Sequence, residues 1–138
     1  MVSISIGNQA ASAQPTLLIV DDQQFFVDMH VNLLRPRGYT VTGAGSAAAG
    51  FDEAKRLQPD LILLDVEMPS EDGFSLCRRL KAEPATSQIP IIMLTATLNP
   101  KLTELAFKAG AEATVLKSMN VEKLLNIIKV VLQTEKAQ

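Results

Sequence analysis

The chain has 138 residues, 47% of them hydrophobic and 20% charged, a length and balance that suit one soluble globular domain. Thirteen Lys and Arg against fifteen Asp and Glu leave a net charge of −2, without the basic excess of a nucleic-acid-binding domain. One cysteine, Cys77, and one histidine, His30, exclude an internal disulfide and a His/Cys metal site, so any divalent metal must be held by carboxylates.

Residues 1–15 carry no charge and lack the basic start and long apolar stretch of a secretory signal. They read as a mobile N-terminal arm of small polar residues, with the alternation Val2 to Ile6 compatible with an extra strand; residues 16–138 form the domain. No apolar run approaches the roughly twenty residues of a spanning helix, so neither membrane insertion nor export is expected and the protein is placed in the cytoplasm. Leu17 to Val20 is a short apolar run ending at two aspartates, a buried strand. Residues 23–35 have helical spacing with Phe26, Met29, Leu33 and Leu34 near one face, and Pro36 and Gly38 stop the helix. His30 lies off that face and is expected to meet solvent. Tyr39 to Thr42 is a second strand, and Ala47 to Leu57 a second helix capped by Ser46. Leu61 to Leu64 is a third strand ending at Asp65, followed by a short helix from Gly73 to Lys81 with Cys77 as a small core residue. Pro90 to Leu94 ends at Thr95; Lys101 to Ala109 is a helix stopped by Gly110; Ala113 to Leu116 ends at Lys117; Val121 to Thr134 is the last helix.

Five strand–helix repeats whose strands lack polar alternation describe an α/β protein, a doubly wound parallel sheet with helices on both faces. In such sheets the functional site lies beyond the carboxyl ends of the strands. The residues there are Asp21, Asp22, Gly43, Asp65, Thr95 and Lys117. If the first and third strands are neighbours, Asp21, Asp22 and Asp65 converge, and three anions that close repel unless a cation lies between them. With no histidine or cysteine nearby the natural occupant is Mg²⁺. A bound Mg²⁺, a lysine and a hydroxyl around one carboxylate are the parts that phosphoryl transfer requires, and a carboxylate can itself become an acyl phosphate. Singly, each residue has a plainer explanation: paired aspartates can cap the next helix, Thr95 can be an ordinary strand-end hydroxyl, and Lys117 can be solvated. Gly43-Ala44-Gly45-Ser46 follows the second strand and lacks the G-x-G-x-x-G pattern, so it is not a dinucleotide loop.

The stretches LLIVDDQ (17–23), LILLDVEMPSEDG (61–73), IIMLTA (91–96) and AGAEATVLKS (109–118) resemble the CheY-like receiver domains of two-component response regulators, over about residues 16–134. The resemblance implies a flavodoxin-like five-stranded parallel sheet of order 2-1-3-4-5 with five helices. It implies that Asp65 accepts the phosphoryl group and that Mg²⁺ is held by Asp65, by Asp22 directly, by Asp21 largely through water, and by the backbone carbonyl of Glu67. Thr95, Lys117 and the backbone amide of Ala96 are implied as phosphate contacts. Met68, Pro69 and Gly73 are implied as shaping the loop after the acceptor. The implied partner is a sensor histidine kinase or a phosphotransfer protein, in a phosphorelay.

Two positions depart from the family pattern. Thr114 stands where receivers usually carry an aromatic, and Ser118 where they usually carry a proline. A cis bond before Ser118 would cost about 3 kcal/mol, so trans is expected. Glu67 and Thr97 occupy positions that tune dephosphorylation in the family. An Mg²⁺-dependent aspartyl-phosphate phosphatase is the enzyme alternative, but Glu67 stands where such phosphatases carry their second aspartate. A phosphorylation-independent interaction module is the other alternative. With no room for an output domain in these 138 residues, the protein is expected either to act alone by docking on a partner or to be the receiver piece of a longer chain. On an ideal helix Ile127 and Val130 fall opposite the stripe Leu124, Leu125, Ile128 and Leu132. They are expected to form a dimer or partner contact with the fourth helix and fifth strand.

Overall fold

In the computed structural model, which describes residues 14–136, strands and helices alternate along the chain. They are β1 (Thr16–Val20), α1 (Gln24–Leu34), a 3₁₀ turn (Arg35–Arg37), β2 (Thr40–Ala44), α2 (Ala47–Leu57), β3 (Leu61–Asp65), α3 (Gly73–Ala82), β4 (Ile91–Thr95), α4 (Pro100–Ala109), β5 (Ala113–Leu116) and α5 (Val121–Lys136). The strands form one parallel sheet in the order β2-β1-β3-β4-β5. The expected strand at residues 2–6, and nearly all of the expected N-terminal arm, lie outside the described residues.

Each central strand feeds two cores, because successive side chains point to opposite faces of the sheet. Leu18, Val20, Ile62, Leu64, Ile91 and Met93 face α2, α3 and α4, where they meet Ala54, Leu76, Cys77, Leu80 and Ala106. Leu17, Ile19, Leu61, Leu63, Ile92 and Leu94 face α1 and α5, where they meet Val27, Leu34, Leu124, Leu125 and Ile128. β1, β3 and β4 are therefore apolar on both faces, which is why they read as unbroken hydrophobic runs.

Polar side-chain caps start α2, α3 and α4. Ser46 Oγ accepts from the Ala49 amide, Asp72 Oδ1 from the Ser75 amide, and Asn99 Oδ1 from the Leu102 amide. Gly110 ends α4 at a φ of 106°, in the left-handed region.

Three expectations differ from the structure. β2 runs to Ala44 rather than ending at Thr42, because its register on β1 pairs Ile19 with Gly43 and Val20 with Ala44. Gly43 stands where a Cβ would come 2.4 Å from Val27 Cγ1, a close approach of α1 that a glycine leaves room for. His30 is buried, at 2% exposure, not solvent-facing. The inward face of α1 is Val27, His30 and Leu34, while Leu33 is 38% exposed. His30 tolerates burial because Nδ1–H donates to the Phe26 carbonyl at 2.8 Å, and burial holds its pKa below the usual imidazole value. Ile127 is half-buried and packs against the α1/α5 core rather than facing away from it. It lies one helical step of about 60° from Leu124, at the flank of a buried arc wider than the stripe of four residues. Val130 is 60% exposed, as its position on the helix implied.

Candidate functional site

The parallel sheet brings the carboxyl ends of β1, β3, β4 and β5 to one edge, and a cleft of about 400 Å³ opens there. Asp65 is the last residue of β3 and Asp21 follows the last residue of β1; both are 1% exposed. Asp22, next in the chain, is exposed and lines the cleft. One carboxylate oxygen from each of Asp21, Asp22 and Asp65 lies within 4.8 Å of the others.

The fold locks this arrangement from below. Gly73 opens α3 against the end of β3, and a Cβ on it would come 2.3 Å from the Asp65 carbonyl oxygen. Its amide donates to the Val66 carbonyl at 2.8 Å. Only glycine permits that approach. Met68 is buried and Pro69 exposed in the loop between them.

Lys117, just past β5, reaches across to the cluster. Its Nζ is 2.8 Å from Asp21 Oδ2 and 3.3 Å from Asp65 Oδ1. Asp21 Oδ2 is buried and receives no aligned hydrogen bond, so the ammonium is its only compensation among the described residues. Asp21 Oδ1 accepts from the Gln23 amide at 2.9 Å, which shapes the turn into α1. Neither aspartate is the helix cap: that position is Gln23, which makes no side-chain capping bond.

Burial raises the Asp65 carboxyl to about 6; the Asp21 charge pushes in the same direction and Lys117 opposes both. Burial works against the Lys117 ammonium, yet its contacts with Asp21 and Asp65 outweigh that and raise its pKa. The donor set is all oxygen, and Asp21 Oδ2 has no partner among the described residues but the Lys117 ammonium. Both facts suit a hard divalent cation held by Asp21, Asp22 and Asp65.

Of the other residues expected at the site, Glu67 and Ala96 line the cleft. Glu67 is exposed, and its amide donates to Asp65 Oδ1 at 3.3 Å. Thr95 is fully buried, and its hydroxyl is turned away into its own loop: it donates to the Thr97 carbonyl at 2.8 Å and accepts from the Thr97 amide at 3.3 Å. Thr97 is exposed and is not part of the cleft wall. Thr114 is half-buried on β5. Ser118 lines the cleft, and no cis peptide occurs among the described residues. Gly43 lies in β2, and Ser46 caps α2. Cys77 is fully buried, its thiol directed at the Ala109 carbonyl and pushed up to about 11 by burial, which makes it an inert core residue.

Two residues not singled out from the sequence join the wall: Gln23 and Phe26. The available signal was their place in the first turn after Asp22, which the β1–α1 connection must aim at the cleft.

Residues 17–129 match the family model of the response regulator receiver domain. The chain is 36% identical over 119 residues to the DNA-binding dual master transcriptional regulator RpaA of Synechocystis, covering 86% of this chain and 49% of that protein. It is 32% identical over 109 residues to the DNA-binding response regulator MtrA of Mycolicibacterium smegmatis, covering 79% and 46%. The chain thus spans about half the length of these curated relatives. Among solved structures it superposes on the chemotaxis protein CheY4 of Vibrio cholerae with a TM-score of 0.82 at 28% identity, covering 86% and 99% of the two chains. On a CheY-like receiver domain protein of Methanospirillum hungatei the TM-score is 0.84 at 26% identity, covering 91% and 98%.

Proposed function

The chain belongs to the response regulator receiver domain family, a phosphoryl-accepting signalling domain, and we propose that Asp65 is the carboxylate that takes the phosphoryl group. The observation that carries this is Asp65 itself: buried at the end of β3, 3.3 Å from the Lys117 ammonium and within 4.8 Å of two further carboxylates. In the reaction a bond forms between an Asp65 carboxylate oxygen and phosphorus as the donor's bond to phosphorus breaks. The donor is a phosphohistidine on a sensor kinase or phosphotransfer protein in the cytoplasm, or a small phosphodonor.

Asp22, Asp65 and the Glu67 carbonyl, with Asp21 largely through water, would hold Mg²⁺, which would neutralise charge on the transferring group and orient it. Lys117 pairs with a phosphoryl oxygen, and the Ala96 amide donates to another. The Thr95 hydroxyl reaches the phosphoryl group only by leaving the Thr97 carbonyl, so its movement reports the modification. Glu67, which lines the cleft, borders the path by which water reaches the acyl phosphate, and Thr97 acts on that step through the Thr95 hydroxyl it holds. The chain assists its own phosphorylation and its own dephosphorylation, and is not otherwise an enzyme.

Mixing the protein with a small phosphodonor and Mg²⁺ is expected to yield one phosphoryl adduct by intact mass, absent from Asp65→Asn and from samples with chelator. An adduct that persists in either sample contradicts the assignment.

The output surface in this reading is the face of α4, β5 and α5, where Phe107 is 78% and Val130 60% exposed. It forms a weak homodimer that phosphorylation strengthens; this chain makes no direct contact with nucleic acid. Ile127 supports that face from its half-buried position. Val130→Asp is expected to lower self-association several-fold in sedimentation with a phosphoryl mimic present. Unchanged association in a folded variant removes the surface.

A further inference from the structure

The ammonium at the site has a neighbour that the carboxylate chemistry does not require. Lys117 Nζ lies 4.1 Å from the centroid of the Phe26 ring, while its other contacts are the Asp21 and Asp65 carboxylates. An ammonium over an aromatic face is attracted by the ring quadrupole, and more strongly where water is excluded. Here the lysine side chain is only 9% exposed.

The ring is fixed in place by the same loop that carries Asp21. The Gln23 amide donates to Asp21 Oδ1, the Phe26 amide donates to the Gln23 carbonyl at 2.9 Å, and the Phe26 carbonyl accepts from His30 at 2.8 Å. Phe25 packs edge-on against the ring, with centroids 5.5 Å apart and planes at 77°. Buried His30 thus has a use: it pins the backbone under Phe26.

A lysine stem has four flexible carbons, and holding its head in one place costs rotamer entropy. Two carboxylates hold it in the metal-free protein. A divalent cation on those carboxylates weakens their pull, whereas the pull of the ring is unchanged. We propose that Phe26 is the positioning residue for Lys117, its ring face keeping the ammonium at the cleft to meet an incoming phosphoryl oxygen, a role that rests on Asp65 as the acceptor.

The test measures phosphorylation rate against phosphodonor concentration in the wild type, Phe26→Leu, Phe26→Tyr, Lys117→Ala and the Phe26→Leu/Lys117→Ala pair, with folding checked by urea denaturation. Phe26→Leu keeps apolar bulk and loses the quadrupole; it is expected to slow phosphorylation about three- to tenfold. Phe26→Tyr keeps the ring and is expected within about twofold of wild type. In the Lys117→Ala background Phe26→Leu is expected to change the rate by less than about twofold, since the group it positions is gone. The Lys117 Cε protons should show an upfield ring-current shift by NMR in the wild type and in Phe26→Tyr, lost in Phe26→Leu. A wild-type rate in Phe26→Leu overturns the proposal. So does equal slowing with and without Lys117, which marks a merely structural role. Failure of the acceptor reading shows separately, as an adduct that survives Asp65→Asn.

Discussion

Replacing Asp65 by Asn is expected to make the metal-free protein more stable at pH 7.5, by about 2 kcal/mol. Asp65 is buried beside Asp21, and its carboxyl is raised to about 6. In the unfolded chain the same group titrates near 3.9. A raised carboxyl means the folded state holds its proton more tightly than the unfolded state does. The contribution of this one group to stability is therefore most favourable below about pH 4 and is lost as pH rises through about 6. Asn keeps the shape without the charge, so the variant's advantage grows over that window and vanishes below it. Lys117 keeps its closer partner, Asp21, in the variant. Urea denaturation with chelator present, at pH 7.5 and pH 4, reads the effect. An Asp65→Asn variant less stable than wild type at pH 7.5 contradicts this account of the site as a cluster of mutually repelling charges.

Asp22→Ala and Lys117→Ala should fail in opposite ways. Asp22 is an exposed carboxylate whose charge the metal-free fold does not need, and it faces the cleft. Its removal is expected to weaken Mg²⁺ binding about tenfold or more, with little change in metal-free stability. Lys117 is the compensation for buried Asp21 Oδ2 and a partner of Asp65. Its removal leaves two buried carboxylates without their cation, at a cost of about 3 kcal/mol in the metal-free protein. Bound Mg²⁺ restores much of that loss, because binding the folded state alone stabilises it. The ammonium also competes for the oxygens a cation needs, so Lys117→Ala is expected to bind Mg²⁺ at least as tightly as wild type. Metal titration and urea denaturation of the two variants side by side check both halves. Equal loss of Mg²⁺ affinity in the two contradicts the separation of roles.

The sheet was legible because its physics is local. Leu17 to Val20, Leu61 to Leu64 and Ile91 to Leu94 have no polar alternation, which only a two-sided core explains. Ser46 and Gly110 mark their helix ends through bonds within a few residues. The carboxylate cluster was legible for a related reason: strand ends of a parallel sheet must share one edge, so Asp21, Asp22, Asp65 and Lys117 meet once the strand order is known. What was not legible depends on orientation. His30 looked polar enough for solvent, but α1 turned it inward and gave it a carbonyl of its own helix. Ile127 depends on how deeply α5 settles on the sheet. The Thr95 hydroxyl has two acceptable directions, and in this structure the Thr97 carbonyl takes it. Phe26 reads as one more core aromatic until the rotation of α1 sets its ring under Lys117.

Which of the three clustered carboxylates carries the phosphoryl group, proposed above to be Asp65, can be read chemically. Borohydride reduction of the phosphorylated protein converts an acyl phosphate to the alcohol, and peptide mass spectrometry then locates it. Homoserine is expected at position 65 in the peptide spanning 61–73, formed only when Mg²⁺ was present during phosphorylation. Reduction at Asp21 or Asp22, or no reduced residue in a protein that carries the adduct, would contradict the assignment to Asp65.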